Sequence, residues 1–128
     1  MKSIEPIYNE LDKLFIHTLP SYIEKINKQY NDGIVLKVFA NKSLHENCIQ
    51  QPCFKFSVEN AEYSEKDRII ENTVFQCSFE IKIQSIENEL SILWRYIEAI
   101  NKMLIEEDSD IIILRVQASK VILRITVS

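Results

Sequence analysis

The sequence predicts an α+β fold: one domain over residues 1–128, with an antiparallel sheet of about four to five strands and two helical regions. An N-terminal helix, kinked or split at Pro20, and a second helix later in the chain pack on one face of the sheet. Three observations carry this expectation. Apolar residues recur at spacings of three and four over residues 3–30. Strict alternation marks residues 74–83. The helical period then returns between Leu90 and Leu104, and two short alternating runs follow it.

The first helix is read from Ile4, Ile7, Leu11, Leu14, Phe15, Leu19, Tyr22, Ile23, Ile26 and Tyr30. Pro20 interrupts it. Proline is tolerated in a first turn, so Thr18 could cap a second helix; the apolar phase also runs across Pro20, which fits one kinked helix. Asn31-Asp32-Gly33 ends the helix with residues that tolerate left-handed backbone. Ile34 to Ala40 reads as a strand, and Asn41 to Gln51 as a polar loop.

Phe54, Phe56 and Val58 alternate with Lys55, Ser57 and Glu59, a half-buried strand entered at Pro52. The charged stretch Asn60 to Asn72 is either a long hairpin connection or a pair of twisted strand extensions. Phe75, Cys77, Phe79, Ile81 and Ile83 then face one way, while Val74, Gln76, Ser78, Glu80 and Lys82 face the other. The second helix is capped around Ser85 to Asn88 and buries Leu90, Leu93, Trp94, Ile97, Ile100 and Leu104. The acidic turn Glu106 to Asp110 opposes the helix dipole and closes it. Ile111 to Ala118 and Val121 to Val127 form a final hairpin. Its core phase is Leu114, Val116 and Ala118, which leaves Ile111, Ile113 and Ile122 pointing outward.

Composition narrows the function. A net charge of -4 and the lack of any Lys/Arg run longer than two argue against nonspecific nucleic-acid binding. The longest apolar run, Ile111 to Leu114, is far too short to span a bilayer, and no secretory leader is read at the N-terminus. Three cysteines without such a leader suit a reducing cytoplasm. A single glycine leaves no room for a phosphate-binding loop. His45, Cys48, Cys53 and Cys77 are a conceivable metal set, yet Cys53 and Cys77 fall on opposite phases of their strands. No oxyanion-type turn accompanies His45 and Cys48. The expectation is a protein that is not an enzyme, with no catalytic residue, metal or cofactor.

The order of segments resembles the tail terminator (tail completion) proteins of long-tailed bacteriophages and prophages. The resemblance rests on the opening amphipathic helix, the proline-led aromatic strand "QPCFKFSV", the charged connection with Arg68, the strand "VFQCSFEIKI" and the helix "ENELSILWRYIEAINKML". It covers residues 50–105 well and the ends in outline; the chain stops at "IIILRVQASKVILRITVS" without an extended tail segment. The resemblance implies an α+β subunit that assembles into a ring, often a hexamer. Such a ring caps the tail tube and joins tail to head, with tail-tube or head–tail connector proteins as partners. It also implies a location in the bacterial cytoplasm during assembly and in the virion tail afterwards. A heterologous interface repeated about an axis closes such a ring. The residues expected to form it are Arg68, Ile69, Ile70, Ile111, Ile113 and Arg115. The competing reading is a small binding module with a ligand pocket lined by Phe54, Phe79 and Trp94.

Overall fold

The computed structural model describes residues 5–39, 52–66, 69–82, 89–117 and 120–127. It is an antiparallel four-stranded sheet with helices on one face, the α+β architecture expected from the sequence. The first helix runs unbroken through Pro20. An α-helical start, α1 (Glu5–Asp12), widens into a π-helical segment (Lys13–Thr18) and returns to α-helix in α2 (Leu19–Tyr30). The Leu19 N–H donates to the Leu14 carbonyl, five residues back, and the Thr18 hydroxyl donates to the Lys13 carbonyl at 3.0 Å. A proline ring inside a regular α-helix collides with the carbonyl four residues earlier. The wider turn ahead of Pro20 relieves that collision. Thr18 itself has helical dihedrals and makes no side-chain cap. Asn31 ends α2 in the left-handed region, with φ 43°, and Gly33 follows at φ 87°.

The stretch from Ile34 onward is not a strand in its described part, residues 34–39. The correction has a local cause. The Asn27 side chain accepts from the Leu36 N–H at 2.8 Å and donates to the Leu36 carbonyl at 3.0 Å. One amide from α2 thus satisfies both backbone groups that a neighbouring strand would have taken. Leu36 is buried, and Phe39 stacks on Phe54 with ring centroids 3.5 Å apart. The segment lies against the core as a strap. Residues 41–51, expected as a loop, lie outside the described residues.

The sheet has the order β1-β2-β4-β3, built from β1 (Cys53–Lys66), β2 (Ile69–Lys82), β3 (Ile111–Gln117) and β4 (Lys120–Val127). The charged stretch after Asn60 is carried mostly by strand, so the twisted extensions, not a long loop, are what form. Strand β1 pairs with β2 from Cys53↔Lys82 to Lys66↔Ile69, with bulges between Val58 and Asn60 and between Ser64 and Glu65. Strand β4 pairs with β2 only between Thr73↔Val127 and Glu80↔Lys120.

Phe54, Phe75, Cys77, Phe79, Ile81, Val121, Leu123 and Ile125 line the inner face. They meet Leu11, Phe15, Leu19, Tyr22, Ile23 and Ile26 from the first helix. From α3 (Glu89–Glu106) come Tyr96, Ile97, Ala99, Ile100, Met103 and Leu104. Among the described residues no helix is long and apolar enough to cross a membrane.

Candidate functional site

Helix α3 buries Ile97, Ile100 and Leu104 as its spacing suggested, with Leu93 packed against the core, whereas Leu90 and Trp94 of the expected stripe do not turn inward. Tyr96 is buried and its hydroxyl donates to the Lys37 carbonyl on the strap. Trp94, two positions earlier and so on the opposite side of the helix, is 52% exposed, and Leu90 and Ile105 are exposed as well. Leu90, Trp94 and Ile105 therefore form a second apolar stripe on the solvent side of α3.

Strand β3 holds a related surprise. A bulge between Ile113 and Arg115 inserts Leu114 as an extra residue against β4. A bulge reverses the inward–outward phase across it. Ile111 is consequently buried in the core and Ile113 packs against it; neither points outward as the unbroken alternation implied. Ile112 (47% exposed) and Leu114 (42%) are the exposed aliphatics instead. Arg115 is exposed. Ile122 does lie on the outer face, opposite Arg115 and Ser78 in register, yet is only 5% exposed.

Between α3 and β3 lies an open groove of about 640 Å³ lined by Trp94, Arg95, Glu98, Ile113 and Val116, with Tyr30 at its rim. Its polar wall is a connected set. Arg95 makes a two-pronged ion pair with Asp32 and its guanidinium sits 4.0 Å from the Tyr30 ring centroid. The Tyr30 hydroxyl donates to Glu98 at 2.6 Å. Arg95 holds the Asp32 carboxyl at about 2, below its ordinary 3.8, against a partial desolvation that works the other way.

A group whose folded pKa is depressed contributes stability that is complete above its unfolded pKa and disappears as pH falls through the folded one. The Asp32 contribution is thus present above about 4 and gone near 2. Arg95→Met should narrow its stability gap to the wild type as pH falls across that window, measured by urea unfolding at each pH. An unchanged gap would mean the pair adds nothing to folding.

Of the other expected interface residues, Arg68 lies outside the described residues. Ile69 and Ile70 pair with Lys66 and Glu65 at the far end of the β1–β2 hairpin. Beyond Thr73, the last β2 residue paired with β4, no other described strand joins this hairpin, which continues as a two-stranded ribbon. Four further β2 residues at about 3.3 Å each carry it roughly 13 Å past its neighbour.

The outer face of the sheet carries a hydrogen-bonded trio at the first bulge. Ser78 donates to Glu59 at 2.7 Å, and Ser57 lies 2.9 Å from Ser78. Ser78, with help from Ser57 and the Lys120 charge, lowers the Glu59 pKa. The trio pins the β1–β2 register where the bulge would otherwise let it slip.

Among the described residues, neither competing constellation is brought together. Phe54 and Phe79 are buried core residues packed with Phe15, whereas Trp94 is exposed and lines the groove beside α3 without them. His45 and Cys48 lie outside the described residues. Among the described residues no cluster of three or more His, Cys, Asp or Glu could hold a metal ion. Burial, and secondarily Glu59, pushes the Cys77 thiol up to about 12, so it stays protonated at neutral pH. No family model matches the chain, nor does any curated protein or solved structure.

Proposed function

We propose that this chain is a structural assembly protein that closes into a ring with copies of itself and docks on a larger particle. This is the role that phage tail terminators perform when they cap a tail tube and join tail to head. Its partners on this reading are tail-tube or head–tail connector proteins, met in the bacterial cytoplasm and retained in the virion tail. The observation that supports it is the ribbon at the end of β1 and β2. A two-stranded hairpin is marginal on its own in water, and it gains stability by packing against something else. Here both strands run on past the last described β4 residue that pairs with β2. The exposed stripe Leu90–Trp94 and its groove offer an apolar surface elsewhere on the subunit. Two unlike surfaces on one chain are what a heterologous, ring-closing contact requires.

The test is mass by light scattering over a concentration series. The wild type should form a species of more than two copies, and the double variant Ile69→Asp, Ile70→Asp should hold at most two with its circular dichroism unchanged. A wild type that never exceeds two copies, even with tail-tube protein added, would refute the ring. The groove also favours a second reading, a binding module for a small ligand at Trp94 and Tyr30. A ligand-induced rise in melting temperature that Trp94→Ala abolishes would support that module over the ring.

A further inference from the structure

We propose that the free edge of β3 is a twofold docking surface for a second copy of this chain, joining two sheets into one of eight strands. The inference does not depend on the ring. A ring repeats an unlike contact, whereas this contact is isologous.

Among the described strands β3 ends the sheet order, and none of them pairs with its other edge. Natural edge strands usually carry charges or proline that discourage pairing. The strand IIILRVQ has one charge and no proline, and Ile112 and Leu114 stand exposed on it. Such an edge is a template for another strand.

Its charges select which strand. Asp110, with Glu106, Glu107 and Asp108 before it, makes the start of β3 acidic; Arg115 and then Lys120 make the other end basic. A parallel copy would set like charge on like. An antiparallel copy sets acid on base twice, once on each side of the axis.

The bulge makes this geometry consistent. Residues 110 and 115 differ by an odd number, so in a regular strand they would face opposite sides of the sheet. The inserted Leu114 returns Arg115 to the face shared by Asp110 and Ile112. Antiparallel pairing about Ile112 then places Ile112 against its own copy on the axis and Ile111 opposite Ile113. It also places Asp110 opposite Arg115 on the outer face. On the helical side, exposed Ile105 borders a depression of about 350 Å³ lined also by Leu104, Ile111 and Ile113. The same patch of the second copy covers it.

The experiment uses the Ile69→Asp, Ile70→Asp background, so that ring contacts through the ribbon do not enter the reading. Light scattering on this chain should give twice the 15.1 kDa of one subunit. Arg115→Asp alone and Asp110→Arg alone should each raise the dissociation constant about tenfold or more, and the two together should restore it. Ile112→Lys, on the axis, should leave monomer with native circular dichroism. A monomeric background protein overturns the proposal. So do single reversals without effect, or a double reversal that stays dissociated while folded. Failure of the ring would show only in the wild type, as a mass limited to two copies, and would leave this result unchanged.

Discussion

Phe79→Ala should remove about 3–5 kcal/mol of folding stability. Phe79 has no solvent exposure and sits where four aromatic rings converge. It stacks on Phe15 at 4.4 Å between centroids, meets Phe56 at 4.8 Å and Phe54 edge-on at 5.6 Å. In register it lies between Phe56 on β1 and Val121 on β4. Truncation leaves a ring-sized void walled by side chains from three strands and the π-helical segment, none of which can move in without breaking its own packing. Domains of this size hold about 5–15 kcal/mol in total, so the variant should be partly unfolded at physiological temperature. Urea denaturation followed by tryptophan fluorescence measures the loss through the midpoint. A loss under about 1 kcal/mol would mean the aromatic cluster is loosely packed.

Asn27→Ala should cost about 2–4 kcal/mol, the desolvation penalty of two backbone groups left without partners. The Leu36 N–H and carbonyl both depend on that one side chain, in a partly buried place. Releasing them frees the strap, and with it the Phe39 ring from Phe54 and the Lys37 carbonyl from the Tyr96 hydroxyl. The effect should therefore spread beyond residue 36. Amide hydrogen exchange reads it directly: the Leu36 amide should lose protection while amides in the middle of β2 keep theirs relative to global unfolding. Retained protection at Leu36 would show that water or another group replaces the amide.

The inner face of the sheet was legible because its period is two and its residues are large. Phe75, Cys77, Phe79 and Ile81 follow that pattern without interruption, and all are buried. The helical stripe was legible in kind but displaced in detail. Trp94 and Tyr96, two positions apart, point to opposite sides of the helix, and the side that turns inward is the one whose tyrosine bonds the strap. The strap itself was misread as a strand because Ile34 to Ala40 has strand composition. What overrides that composition is a single asparagine seven residues before the segment, a contact that no local pattern encodes.

The interface residues show the same limit. An inserted residue leaves no mark in a run such as IIILRV, where every position is apolar until Arg115. The alternation read across it assigned Ile111 and Ile113 to the surface, and the bulge gives that place to Ile112 and Leu114. Arg115 kept its exposed position because it lies beyond the insertion.

The widened helical turn ahead of Pro20 bears on how force would travel through the subunit. Tyr8 on α1 meets Phe56, edge-on at 5.1 Å, in the part of β1 that pairs with β2 well short of the ribbon. A bend carried along β1 from the ribbon would reach α1 at that aromatic joint. The path onward to α2 and α3 crosses the one stretch of helix whose hydrogen bonds are already spread apart, a compliant coupling where strain can be absorbed. Docking at one end could thus be felt by α1 while the layer that anchors the strap stays still.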